Sequence, residues 1–323
     1  MIRLGGPTLR RRPQSGNLPS FYSARKIRGI IVIPLTSCFS ALSNRRAAGA
    51  ERVCFVITLV EAQVFKYKSI EDSTPVKIAK DVTVLVGKNE SGKTAFLEAL
   101  QKALPLADAK FDVVFDYPKK EYVRYRKEHD SQSYAKVVDL KFLIGEELVT
   151  KINQELFNGV RVLAADKTFS RESNYGNIHA LGINIESETA IASLKKSLEG
   201  IEDVDEVFSG AKRLAQVIER IESKTRPADS TLGIFAKNWR TRTAKAGEGW
   251  RMIDWHVWSH YLFPAMPRFL YFDDYRLLEG KINLDSLSQR KANPAQLTKA
   301  DETALGLLEL AGTNVAELIR VRI

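Results

Sequence analysis

Eight consecutive residues, Gly87-Lys88-Asn89-Glu90-Ser91-Gly92-Lys93-Thr94, have the types and spacing of a phosphate-binding loop, GxxxxGK[ST]. The two glycines, Gly87 and Gly92, permit backbone angles that a side chain forbids, so successive N–H groups can turn inward around phosphate oxygens. Where such a loop runs into a helix, the unpaired donors and positive potential of the helix N-terminus fall on the same point. Lys93 is then placed to reach the β- and γ-phosphates of a nucleoside triphosphate, and the Thr94 hydroxyl to ligate Mg2+. The bare pattern arises by chance about once in a hundred chains of this length. The competing reading is a glycine-rich strand-to-helix turn that binds nothing.

Other residues with chemical potential are less specific. Phe269-Leu-Tyr-Phe272 is followed by Asp273 and Asp274, and a buried strand presenting a carboxylate at its C-terminal end can hold the metal of a phosphoryl-transfer site. Asp273 is therefore a candidate Mg2+ partner, and Asp273 with Asp274 are candidate catalytic carboxylates; the plain alternative is a sheet strand with an acidic end. His256 and His260 stand four apart, a spacing that can hold zinc, but no Glu follows His256 and no third ligand is evident. Trp239, Trp250, Trp255 and Trp258 are interleaved with Lys237, Arg240, Arg242, Lys245 and Arg251. Aromatics among bases can stack nucleobases; the bland reading, which we favour, is that the rings bury a helical subdomain and the bases lie at its rim.

The loop needs a strand before it and a helix after it. Val82-Thr-Val-Leu-Val86 predicts a strand buried on both faces, because it is β-branched and carries no charge. Ala95–Ala103 predicts the helix. Further strands are expected over 60–70, 76–78 and 133–142, with turn chemistry over 72–75 and a helix over 146–157. From 186 to 224 the apolar spacing Ile191, Leu194, Leu198, Ile201 and then Leu214, Val217, Ile218, Ile221 predicts two amphipathic helices broken near Ser209-Gly210. That run is too short for a long coiled-coil arm, and ordinary core is its favoured role.

The 323 residues are 44% hydrophobic and 27% charged, which excludes a disordered polymer, a collagen-like fibre and a disulfide-stapled miniprotein. The formal net charge of +10 belongs to one end: residues 1–50 hold nine Arg and Lys and no acid, leaving 40 bases against 39 acids in the remainder. The isoelectric point of 9.4 therefore says little about the folded part. Residues 1–53 are expected to form a disordered arm or to precede the true start near Val53, with an organellar transit peptide as the competing reading. Two cysteines, Cys38 and Cys54, argue against a disulfide framework or structural zinc and for a cytoplasmic setting. The apolar run from Gly29 to Leu42 is interrupted by Pro34 and short of a membrane span.

The stretches Phe65-Lys-Tyr-Lys-Ser-Ile-Glu-Asp72 and Val82 to Leu100 closely resemble the N-terminus of OLD-family ATPases, relatives of the RecF and SMC type within the ABC class. The segments 267–280 and 301–312 are similar to later parts of the same ATPase domain. The resemblance implies an α/β P-loop NTPase fold with a mixed sheet and an inserted helical region. It implies ATP and Mg2+ as ligands, a role with DNA in repair or phage defence, hydrolysis at a homodimer interface, and, in full-length relatives, a Toprim endonuclease domain. It divides the chain into an arm (1–53), the ATPase domain with the loop (54–183), a helical insertion (184–265) and a return to the ATPase domain (266–323). Two features of the family are not evident: a signature motif like LSGGQ, to which Phe208-Ser-Gly-Ala211 is the nearest string, and an apolar strand ending in Asp-Glu after Gly312. The expectation is thus an ATPase lobe lacking half of its active site, its flank at Val82–Val86 incompletely covered. Two alternatives stay open, an inactive ATP-binding or interaction module and a RecF/SMC-like repair ATPase without nuclease activity. A GTPase is disfavoured because Ala165-Asp-Lys-Thr168 has the acid and base in the wrong order for base reading, and a small nucleotide kinase because the chain inserts long helices.

Overall fold

A computed structural model describes residues 29–33, 57–88, 91–105, 109–129, 133–224, 227, 229–272, 281–293, 296–311 and 313–321. The strands are β1 (Gly29–Ile33), β2 (Ile57–Tyr67), β3 (Ile70–Asp72), β4 (Val76–Lys77), β5 (Lys136–Ile144), β6 (Thr168–Asn174), β7 (His179–Gly182) and β8 (Arg268–Phe272). In the main sheet the order is β3-β2-β5-β6-β7, with β4 also pairing β2, and every one of these pairings is antiparallel. The long strands alternate as half-buried strands should: Ile57, Leu59, Ala62 and Val64 of β2 and Leu140, Phe142 and Ile144 of β5 point into the core. β1 and β8 form a separate antiparallel pair. The expected mixed sheet is thus antiparallel among the described strands; a parallel bridge joins Pro105 to Phe269 of β8, outside that sheet.

One helix crosses this sheet and carries the loop. It is α1 (Lys93–Ala103), and its buried residues Ala95, Phe96, Ala99, Leu100 and Ala103 recur at helical spacing. α2 (Val113–Asp116) and α3 (Tyr122–Glu128) pack beside the β2–β3 hairpin, and α4 (Glu146–Phe157) follows β5 as its periodicity predicts. The 186–224 region contains three helices where two were expected: α5 (Glu188–Lys196), α6 (Val204–Phe208) and α7 (Leu214–Ser223). The additional break has a backbone cause, since Gly200 and Asp203 take left-handed angles, φ 86° and 67°, that an α-helix cannot contain. The expected break near Ser209-Gly210 is present. Ile191, Leu194, Leu198, Leu214, Val217, Ile218 and Ile221 are all buried in the same core as the sheet, which is the core role favoured for them. α8 (Thr231–Thr243) and α9 (Met252–Val257) complete that region; α10 (Leu284–Ala292), α11 (Lys299–Leu310) and α12 (Val315–Val321) gather around Leu287, Ala304 and Val315.

Val82–Val86 departs from expectation. The segment is extended but is not a ladder strand, and Val82, Val84 and Val86 are 73%, 73% and 63% exposed. A strand is buried on both faces only when neighbours pair with both edges and layers cover both sides. None of the described strands pairs with this segment; only Leu85 packs against the core. The flank expected to be incompletely covered is open.

Candidate phosphate-binding site

The loop ends where α1 begins. Gly92 is the N-cap residue, with φ 88° and ψ 3°, a left-handed conformation that glycine adopts without a Cβ penalty. A Cβ at this position would stand 2.9 Å from Ile70 Cγ1 and 3.5 Å from Ser69 Oγ, so the tip of the β2–β3 hairpin closes one side of the turn. Gly87 serves differently from expectation. Its φ is not positive; its use is space, because a Cβ there would meet Ser91 Oγ at 2.7 Å.

The Lys93 side chain folds back into the loop. Its Nζ donates to the backbone oxygens of Gly87 (2.8 Å) and Lys88 (2.6 Å) and to Ser91 Oγ (3.3 Å). The Ser91 N–H donates to Lys88 O at 3.3 Å, closing a turn. No side chain caps α1 and no acid stands in its first turn, so its N-terminal N–H groups meet no carboxylate from within the helix. Thr94, at the second helical position, is partly buried. Asn89 and Glu90 of the same loop, and the candidate carboxylates Asp273 and Asp274, lie outside the described residues. The ammonium thus sits among oxygens that a phosphate group could replace.

α1 is held rigidly from behind. Lys102 Nζ pairs with the buried Asp116 carboxylate at 2.6 Å, and Lys68 N–H donates to Asp116 O at 2.5 Å, tying α1, α2 and the hairpin together. Lys68 also pairs with Glu98 of α1. At the other end Arg171, 8% exposed, donates from Nη1 to Ala103 O at 2.6 Å, placing a cation on the carbonyl end of the helix. Burial, with the neighbouring Arg268 charge, pulls the Arg171 guanidinium down to about 10. The sequence reading missed Arg171, although Phe169, Arg171 and Ser173 alternate along β6 and so share its buried face.

The tryptophans and the histidine pair sit in ring contacts. Trp239 is buried and Trp258 packs edge-on against Phe169; Trp250 and Trp255 pair with each other at 5.2 Å. Arg242 lies over the Trp239 ring and Arg240 pairs with Glu222, as the bland reading expects of bases at a rim, whereas Arg251 turns inward to the buried Asp254. His256 is buried and stacked on His260 with ring centroids 5.3 Å apart. Among the described residues no group of three or more His, Cys, Asp or Glu is arranged to hold a metal ion, and no helix is long and apolar enough to cross a membrane. Set against known proteins, the chain matches no protein-family model and no curated protein.

Proposed function

We propose that the chain binds ATP with Mg2+ through residues 87–94, as a P-loop ATPase lobe of the OLD and RecF/SMC type that works with DNA. The carrying observation is the turn into α1: a left-handed Gly92, a helix start with neither cap nor acid, and a Lys93 ammonium held by loop oxygens. In this reading the loop backbone and Lys93 hold the β- and γ-phosphates and the Thr94 hydroxyl holds Mg2+. Mg2+ would supply charge neutralisation at the transferred phosphoryl group. Lys93 has the reach to exchange its three present oxygens for phosphate oxygens without moving α1, whose apolar face is buried.

Equilibrium dialysis of the full chain with Mg2+·ATP is the test. The expected result is binding by the wild type that Lys93→Ala weakens by about tenfold or more; a folded wild type that retains no nucleotide would end the reading. A second reading, binding without turnover, is favoured by the exposure of Val82, Val84 and Val86, which leaves the approach to the loop open to water. Phosphate release with and without DNA, compared with Lys93→Ala, separates the two: release above that of the variant supports an ATPase, and equal release supports the binding module.

A further inference from the structure

The segment from Phe111 to His129 presents an outward face that the nucleotide site does not use. Its acids are engaged elsewhere: Asp112 caps α2, Asp116 is buried against Lys102, Glu121 pairs with Lys66 at 2.7 Å and Glu128 with Arg124 at 2.6 Å. Lys119, Lys120, Arg126 and Lys127 are exposed and form no ion pair among the described residues. Val123 and Lys127 follow helical spacing on the side of α3 opposite the buried Tyr125, Lys119 and Lys120 lie in the short 3-10 turn just before α3, and Val123 is 69% exposed. Phe115 of α2 is 76% exposed. The mounting is stiff: Asn177 clamps Phe111 through two hydrogen bonds, of 2.8 and 3.1 Å, Tyr175 packs in T-shaped contacts with Tyr117 and Tyr125, and those two rings lie tilted 4.6 Å apart. A preorganised surface loses little entropy on binding.

We propose that the exposed side chains of this segment, the cations Lys119, Lys120, Arg126 and Lys127 together with Phe115 and Val123, bind a single-stranded polynucleotide. Four cations without an acidic partner among the described residues complement a phosphodiester backbone. An exposed ring favours a single strand over a duplex, because only unstacked bases offer a face to stack on. The proposal narrows to one face the DNA association put forward above, and it is tested without nucleotide, so the two can fail separately.

Fluorescence anisotropy of a labelled oligothymidylate of about 15 nucleotides, titrated with the full chain from about 50 to 200 mM salt, reads the binding. The basic N-terminal arm is common to all variants, so differences report this face. The variant Lys119→Gln/Lys120→Gln/Arg126→Gln/Lys127→Gln is expected to flatten the salt dependence by about 3 in the log–log slope, at about 0.7 per phosphate contact. Phe115→Ala is expected to weaken binding by about fivefold or more with the slope unchanged. Unchanged far-ultraviolet circular dichroism and melting temperature verify folding, which these exposed positions should not disturb. Wild-type affinity and slope in the fourfold variant would overturn the proposal, as would equal affinity for the duplexed oligonucleotide. Binding to anionic phospholipid vesicles in preference to the oligonucleotide would overturn it in favour of a membrane surface.

Discussion

Gly92 and Gly159 separate two costs that a glycine can carry. Both are left-handed, at φ 88° and 78°, but an added Cβ meets Ile70 at Gly92 and nothing within 4 Å at Gly159. Gly159→Ala should therefore lose only the conformational term, about 1 kcal/mol. Gly92→Ala should lose about 1 kcal/mol more, because Ile70 Cγ1 must move in a packed site. Chemical denaturation of both variants measures the difference; equal losses would mean that the hairpin tip yields without cost. If nucleotide binding falls in Gly92→Ala while Gly159→Ala keeps it, the close approach of the hairpin belongs to the site as well as to the fold.

At the scale of elements, one buried carboxylate joins two helices. Glu186 accepts from Leu214 N–H through Oε1 and from Ile253 N–H through Oε2, both at 3.0 Å, so it satisfies orphan donors at the starts of α7 and α9. Asp254 beside it accepts from the N–H groups of Ile185 and Glu186 at 2.8 Å and from Arg251 Nε at 2.7 Å. Glu186→Ala leaves two donors buried and should destabilise by about 2–4 kcal/mol. Glu186→Gln keeps an acceptor oxygen for one of them and should lose less. Thermal melts of the two variants check the order. A loss in Glu186→Ala no larger than that of an exposed control would show that water replaces the carboxylate.

Two consequences belong to the whole molecule. Burial, reinforced by Arg242 and His260, holds His256 down at about 4 from its ordinary 6.5, and burial with Arg171 does the same to His179. The unfolded chain takes up protons that the folded chain refuses, so this part of the stability is complete above about pH 6.5 and is lost as the pH falls toward 4. His256→Phe retains a ring against Trp239 and should reduce the drop in melting temperature between about pH 7 and pH 5. An unchanged drop would place the pH sensitivity elsewhere. The second consequence concerns Val82, Val84 and Val86, an exposed, extended, β-branched stripe of the kind that templates association. Val82→Thr/Val84→Lys/Val86→Thr should lower light scattering on concentration with little change in melting temperature; unchanged scattering would show that the stripe is not the adhesive surface.

Local information was enough for the elements whose chemistry is local. The helix over 146–157, the extended segments that become β2 and β5, and the loop running into α1 follow from period and glycine placement, which neighbouring residues set among themselves. Gly92 and Lys93 were legible for the same reason, whereas the steric use of Gly87 required the position of Ser91. What the sequence left undecided depends on partners remote along the chain. Period 2 and β-branching at Val82–Val86 mark an extended segment, but only the assembled sheet decides whether neighbours cover it. The burial of Arg171, the engagement of Asp116 by Lys102 and the join of α7 to α9 through Glu186 are likewise tertiary. Each depends on which distant carbonyl, ammonium or helix end arrives beside a charge, and no spacing within one segment encodes that arrival.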